Sequence, residues 1–209
     1  MSVLTRVVRL AMKTAFAVLL AFVASAALAA PRSYSIAADG KNAATFAMND
    51  PFEQVDGVTK KLTGTIVGDP ANVAGATVEV SVELAAIDTG SKLRDSHIRD
   101  EFAETQKFPR AVFKSVSVSG AATLAPNQPT DINVTGDFSM HGVTHRITIP
   151  VRVVLIPESE ITKAQRGAGD WLHATAKFRL KLSDYGIHVP KSFVDDELAM
   201  TVDVFGVAR

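Results

Sequence analysis

From Thr77 to Leu84 the chain alternates strictly: Val78, Val80, Val82 and Leu84 fall on one face, and Thr77, Glu79, Ser81 and Glu83 on the other. A period of two marks a strand with one dry side and one wet side. The same period returns where Ile132, Val134, Phe138 and Met140 alternate with Asn133, Thr135, Asp137 and Ser139, with Gly136 at an inward position that calls for a bend or a close approach. It returns in Ile147, Ile149, Val151, Val153 and Leu155 against Arg146, Thr148, Pro150, Arg152 and Val154. Two later runs repeat it: Ala174, Ala176, Phe178, Leu180 and Leu182 against Thr175, Lys177, Arg179 and Lys181, then Leu198, Met200, Val202 and Val204 against Thr201 and Asp203. Weaker strands fit Tyr34–Ala38, Ala43–Met48, Lys60–Val67 and Ala111–Ser119. Turn chemistry separates them at Asp39-Gly40, Gly68-Asp69-Pro70, Pro126-Asn127 and His141-Gly142-Val143-Thr144.

Eight or nine amphipathic strands joined by short turns predict an all-β, antiparallel fold. Several runs exceed the usual strand of about five or six residues, and closing them into an up-and-down β-barrel of about eight strands hides their edges without helical layers. A β-sandwich is the alternative architecture. One segment breaks the rhythm. Between Thr89 and Gln106 the alternation stops, charge is dense, and Leu93, His97, Ile98 and Phe102 stand at helical spacings. This predicts a short helix between mid-chain strands, capped by Thr89 or Ser91, with Ile98 and Phe102 turned toward apolar side chains at one barrel end. The polar stretch from Glu158 to Asp170 reads as a long loop or a short helix.

The first 29 residues are a targeting segment rather than part of the fold. Arg6, Arg9 and Lys13 precede the apolar run Ala15 to Ala24, and Ala27-Leu28-Ala29 supplies a small-residue cleavage pattern before Pro31. The run is short of the roughly 20 residues of a spanning helix. Cleavage after Ala29 takes three basic residues from a 209-residue chain balanced at 22 basic and 22 acidic, leaving 180 residues with a net charge of −3. The mature domain is therefore residues 30–209, exported, and a bacterial periplasm fits an exported chain that has no Cys. A neutral to acidic chain offers no basic face for nucleic acid.

Candidate chemistry is sparse. Without Cys there is no disulfide, thiolate metal site or thiol nucleophile. His141 and His145 are four apart, but they straddle a turn rather than share a helix face, so no metal is expected. His97 lies among Arg94, Asp95 and Arg99, a cluster suited to local charge-assisted hydrogen bonds that fix the helix to the barrel rim. No nucleophile elbow or His-Glu-x-x-His helix appears, and a non-catalytic protein is expected. What the sequence emphasises is apolar surface. A barrel of about eight strands can fill with side chains or hold one small ligand, and the small inward residues Gly64, Gly136, Ala174 and Ala176 are expected to leave room.

Ile87-Asp88-Thr89-Gly90, Arg94-Asp95-x-His97-Ile98-Arg99, Phe102, Lys107-Phe108-Pro109 and Phe113-Lys114-Ser115 resemble, in order and spacing, the central signature of the YceI-like family. Val134-Thr135-Gly136-Asp137-Phe138 with His141-Gly142-Val143-Thr144, Phe178 with Ser183-Asp184-Tyr185-Gly186-Ile187, and the opening Tyr34-Ser35-Ile36 extend the resemblance from about residue 34 to 206. Ala103 and Glu104 depart from it where the family often carries a second bulky residue. The resemblance implies a lipocalin-like barrel holding a long apolar chain, such as a polyisoprenoid, isoprenoid quinone or fatty-acid derivative, in the periplasm. On that implication Val80, Val82, Leu84, Phe113, Phe138, Met140, Ile149, Val151, Phe178, Leu180, Met200 and Val202 line the interior, and Arg94, His97 and Arg99 meet a polar head at the rim. The bound lipid is then the ligand and no cofactor is needed. Two other readings stay open: a periplasmic enzyme acting on a lipid-like substrate, and a solid-core barrel acting through protein partners. Also open are transient contact with a membrane or membrane protein, and a homodimer.

Overall fold

The computed structural model describes residues 30–49, 54–189 and 196–208, so the signal peptide expected at 1–29 lies outside the described residues. Ten strands form among them: β1 (Arg32–Ile36), β2 (Ala43–Asn49), β3 (Gln54–Thr59), β4 (Leu62–Asp69), β5 (Asn72–Glu83), β6 (Arg110–Gly120), β7 (Thr130–Met140), β8 (Val143–Ile156), β9 (Trp171–Lys181) and β10 (Glu197–Ala208). From β4 to β10 each strand pairs antiparallel with the next. The first strand then closes the ring, because β1 pairs with β4 on one side and with the end of β10 on the other, at Tyr34↔Ala208 and Ser35↔Val207. The result is a closed, antiparallel, eight-stranded barrel. The β2–β3 hairpin is laid along the first half of β10, at Ala47↔Ala199 through Ala43↔Asp203.

Alternation decides which way each side chain points. Along β7 the inward Ile132, Val134, Phe138 and Met140 are buried, and the outward Asp131 and Asp137 take bidentate bonds from Arg152 (2.8 and 3.0 Å) and Arg146 (2.9 and 3.0 Å) on β8. The Arg guanidinium beside each carboxylate holds both Asp131 and Asp137 below the usual carboxylate range. The barrel is thus dry inside and charged outside, the reverse of a membrane-spanning barrel, whose outer band is apolar. Among the described residues no helix is long and apolar enough to cross a membrane.

The pattern missed one strand and misjudged one turn. In β3 the inward positions are Val55, Gly57 and Thr59, so two of three carry no bulky apolar group. Gly57 is required there, since a Cβ would lie 2.3 Å from the Phe46 ring. The turn expected over four residues is the two-residue His141-Gly142, both at positive φ (51° and 79°), with Val143 and Thr144 already in β8. That is the tight hairpin geometry whose twist matches the strands.

The mid-chain helix forms as α1 (Lys92–His97), running on into a wider π turn over Ile98–Phe102. Of the two cap candidates Ser91 takes the role, accepting the Arg94 N–H at 3.5 Å, while Thr89 bonds the Asp95 carboxylate at 2.6 Å. The Glu158–Asp170 stretch carries the short helix α2 (Glu160–Arg166), capped by a Ser159/Thr162 box. The two barrel ends differ. One is folded over by the β6–β7 loop, where Leu124 N–H donates to Pro70 O (2.8 Å) and Asn127 N–H to Leu155 O (2.7 Å). At the opposite end Ile98 and Phe102 of the π turn pack against the interior.

Candidate binding cavity

The barrel is hollow. Two apolar chambers, of about 150 and about 140 Å³, lie inside the ring. The upper one reaches the β4–β5 turn at Pro70 and the overlying Leu124, and the lower one reaches Ile98, Phe102 and Ala103 of the π turn. Val82, Ala111, Phe138, Phe178 and Val202 belong to both walls. Across this waist the rings of Phe138 and Phe178 meet edge to face, with centroids 6.4 Å apart at 70°. Phe138 is held from below by Tyr185, edge to face at 5.4 Å and 89°.

All twelve residues that sequence reasoning placed inside the barrel stand on these walls. Val80, Phe113, Ile149 and Val151 line the upper chamber, Leu84, Met140, Leu180 and Met200 the lower, and Val82, Phe138, Phe178 and Val202 both. Arg94, His97 and Arg99, read as rim residues that meet a polar head, line neither chamber. Arg94 donates to the Thr89 hydroxyl (3.1 Å) and carbonyl (3.2 Å), Arg99 takes both oxygens of Asp100, and His97 stands 3.9 Å from Glu101. These bonds stay within the helix and the loop that leads into it. The helix turns Ile98 and Phe102 inward, and that leaves its charged side chains outside.

The expectation that small inward residues leave room holds for two of the four. Ala174 and Ala176 line the upper chamber. The space at Gly136 is taken instead: a Cβ would lie 2.5 Å from the Phe113 ring, which folds over the glycine, and 2.4 Å from Lys114 O. Gly64 is a close strand approach, 2.2 Å from Glu79 O to a would-be Cβ. Sequence reasoning also missed Phe46 and Met48 of β2 and Ile187 after β9 in the lower chamber. Their signal was the short alternation of β2 and an apolar residue after a Tyr-Gly turn, both weak in isolation.

Polar side chains are scarce on the walls. Among the described residues only Tyr34, Asp69 and Thr59 contribute them. The Asp69 carboxylate accepts the Ala71 N–H (2.8 Å) within its turn, and the Thr59 hydroxyl donates to Glu83 O (3.4 Å) and accepts from Lys61 N–H (3.2 Å). Burial pushes the Tyr34 phenol pKa up, with Arg32 pulling the other way. Among the described residues no His stands beside a carboxylate on either wall.

The polar groups of the lower end form a clasp around the chamber. His141 bridges the Glu104 carboxylate (Nε2, 2.8 Å) and the Tyr185 carbonyl (Nδ1, 3.1 Å), and the Phe108 ring lies 4.4 Å from its own. His145 reaches the Asp184 carbonyl at 2.9 Å. The two histidines therefore tie the π-turn segment, the β7–β8 hairpin and the turn after β9 together. Among the described residues no group of three or more His, Cys, Asp or Glu side chains is placed to hold a metal ion.

Comparison with known proteins places this geometry. A YceI-like domain model matches residues 34–205. A UPF0312 protein of Vibrio cholerae is 33% identical over 198 residues, covering 89% of this chain and 95% of its own, and Protein YceI of Escherichia coli is 29% identical over 154 residues, covering 73% and 74%. Among solved structures, BcnA of Burkholderia cenocepacia superposes with a TM-score of 0.65 at 18% identity over 81% of this chain and 98% of its own. A polyisoprenoid binding domain from Saccharophagus degradans, implicated in plant cell wall breakdown, gives 0.65 at 14% identity over 85% and 99%. At these identities the two structures speak for the fold.

Proposed function

The chain belongs to the YceI-like family, and we propose that it is an exported, periplasmic binding protein that holds the apolar chain of a polyisoprenoid, isoprenoid quinone or fatty-acid derivative inside its barrel, for carriage, storage or sensing. The observation that carries this reading is the pair of adjacent chambers, walled almost wholly by aliphatic and aromatic side chains. Each methylene moved from water into such a wall gains about 0.8 kcal/mol, so an apolar chain is held with few hydrogen bonds. The Saccharophagus degradans domain of the same fold, described as polyisoprenoid binding, supports the ligand class.

Binding rather than catalysis is supported by membership of the YceI-like family and by the polyisoprenoid binding domain of the same fold. Open chambers argue against a solid core. No cofactor enters this reading; the lipid is the ligand. The test is mass spectrometry of an organic extract of the mature protein, purified from a bacterial periplasm without detergent. About one prenyl or acyl lipid per chain is expected. A protein reproducibly empty, and unable to take up added quinone, would overturn the reading.

A further inference from the structure

We infer that Phe138 and Phe178 form a gate that meters how much of an apolar tail the barrel accepts, an inference that rests on the lipid-binding reading. The volumes set the problem. A dry apolar cavity of about 150 Å³ takes up a benzene-sized molecule. One five-carbon prenyl unit is close to that size, so chambers of about 150 and about 140 Å³ each seat about one unit as they stand. A longer tail entering either chamber meets the waist, where the two rings stand edge to face at 6.4 Å.

The two leaves of the gate are not alike. Phe138 is buried, with Tyr185 against it. Phe178, on β9, is only partly buried, and its cross-strand neighbour on β10 is the unbranched Met200. Methionine has rotatable bonds that adapt to a changed neighbour. Phe178 is therefore the leaf that swings and Phe138 the stop. Phe205 is the natural comparison: it stands on β10 with its ring stacked on His173, centroids 4.2 Å apart, and lines neither chamber. It is as large as the gate residues and lies outside the waist.

The experiment measures equilibrium binding of ubiquinone homologues with one, two, four and eight prenyl units to delipidated mature protein. It compares wild type with Phe178→Leu, Phe178→Ala and Phe205→Ala. Phe178→Leu keeps an apolar side chain and serves if the alanine variant is not folded. In wild type, affinity should level off beyond about two units, because further units must displace the gate. Opening the waist should let affinity keep rising with length, with the eight-unit to two-unit ratio at least tenfold above wild type. Phe205→Ala should leave that ratio unchanged. The gate is overturned if the Phe178 variants keep the wild-type ratio, or if Phe205→Ala shifts it equally. Failure of every homologue to bind every protein would sink the lipid-binding reading itself, and the gate with it.

Discussion

Filling the upper chamber should stabilise the lipid-free protein while reducing uptake. Ala176 is the position of choice: it lines that chamber on β9 and pairs with Val151 on β8 and Val202 on β10, so a larger side chain there points into empty space between aliphatic neighbours. Ala176→Leu adds three carbons to a cavity of about 150 Å³, a size that accepts a six-carbon ring. At about 0.8 kcal/mol per buried carbon the gain is roughly 2.4 kcal/mol, and fixing the leucine rotamer returns about 0.5–1 kcal/mol. A net gain of about 1.5 kcal/mol remains, which for a domain of this length corresponds to a Tm rise of about 3–6 °C. The assay pairs thermal and urea unfolding of delipidated protein with quinone uptake. A variant less stable than wild type would mean that the chamber is not empty space. A stabilised variant with undiminished uptake would mean that lipid does not use it.

The other predictions probe different parts of the barrel. Gly136→Ala should cost about 1–3 kcal/mol by overpacking and reduce uptake, because the new methyl lies 2.5 Å from the Phe113 ring and drives it into the upper chamber; an unchanged urea midpoint would refute this. Glu104→Ala removes the bond to His141 and should cost on the order of 1 kcal/mol or less at this half-exposed site. Its clearer sign is faster hydrogen exchange at residues 103–108 and at Ile187, with no change in the β4–β5 hairpin. Both tyrosines of the chain, Tyr34 and Tyr185, have phenol pKa values raised first by burial, with Asp184 adding to the rise at Tyr185. A raised folded pKa contributes stability that is present below the unfolded value of about 10 and is lost as pH climbs from there through the folded values. Tyrosinate absorbance should therefore appear together with loss of the β circular-dichroism signal, and ordinary titration near pH 10 in a folded barrel would contradict it.

How far the sequence carried depended on what each position had to do. Where a strand packs one face against the interior and shows the other to water, as at Val78–Leu84 or Ile132–Met140, alternation names both faces, and all twelve residues assigned inward stand on the chamber walls. Where an inward position must yield to a neighbour, alternation is silent. Gly57 gives way to Phe46, so β3 was missed; at Gly136, read both as a close approach and as leaving room, the close approach to Lys114 O and Phe113 is what forms, and the room is covered. For Arg94, His97 and Arg99 the sequence left two roles side by side. A dense charge cluster near a barrel rim looks the same in sequence whether it faces a ligand or its own helix, and the local hydrogen bonds expected of it form here.

Whether the barrel is hollow was never written in its alternation. A dry face states which side chains point inward, not how far they reach across the ring, and the same valines and leucines could have met at the centre. The waist depends on that reach. Phe138 and Phe178 lie on strands separated by β8, in segments forty residues apart along the chain, and the pairing of β8 with both strands brings their edges together. Below them Tyr185, from the turn after β9, backs the fixed ring, and His141 and His145 hold that turn through its backbone carbonyls. Loosening the clasp should therefore reach the waist: a freed Tyr185 leaves Phe138 without its stop. Glu104→Ala is then expected to raise uptake of long tails more than of short ones, in the same direction as Phe178→Leu though less strongly. If the two act through one gate, their double variant should gain less than the sum of the single effects.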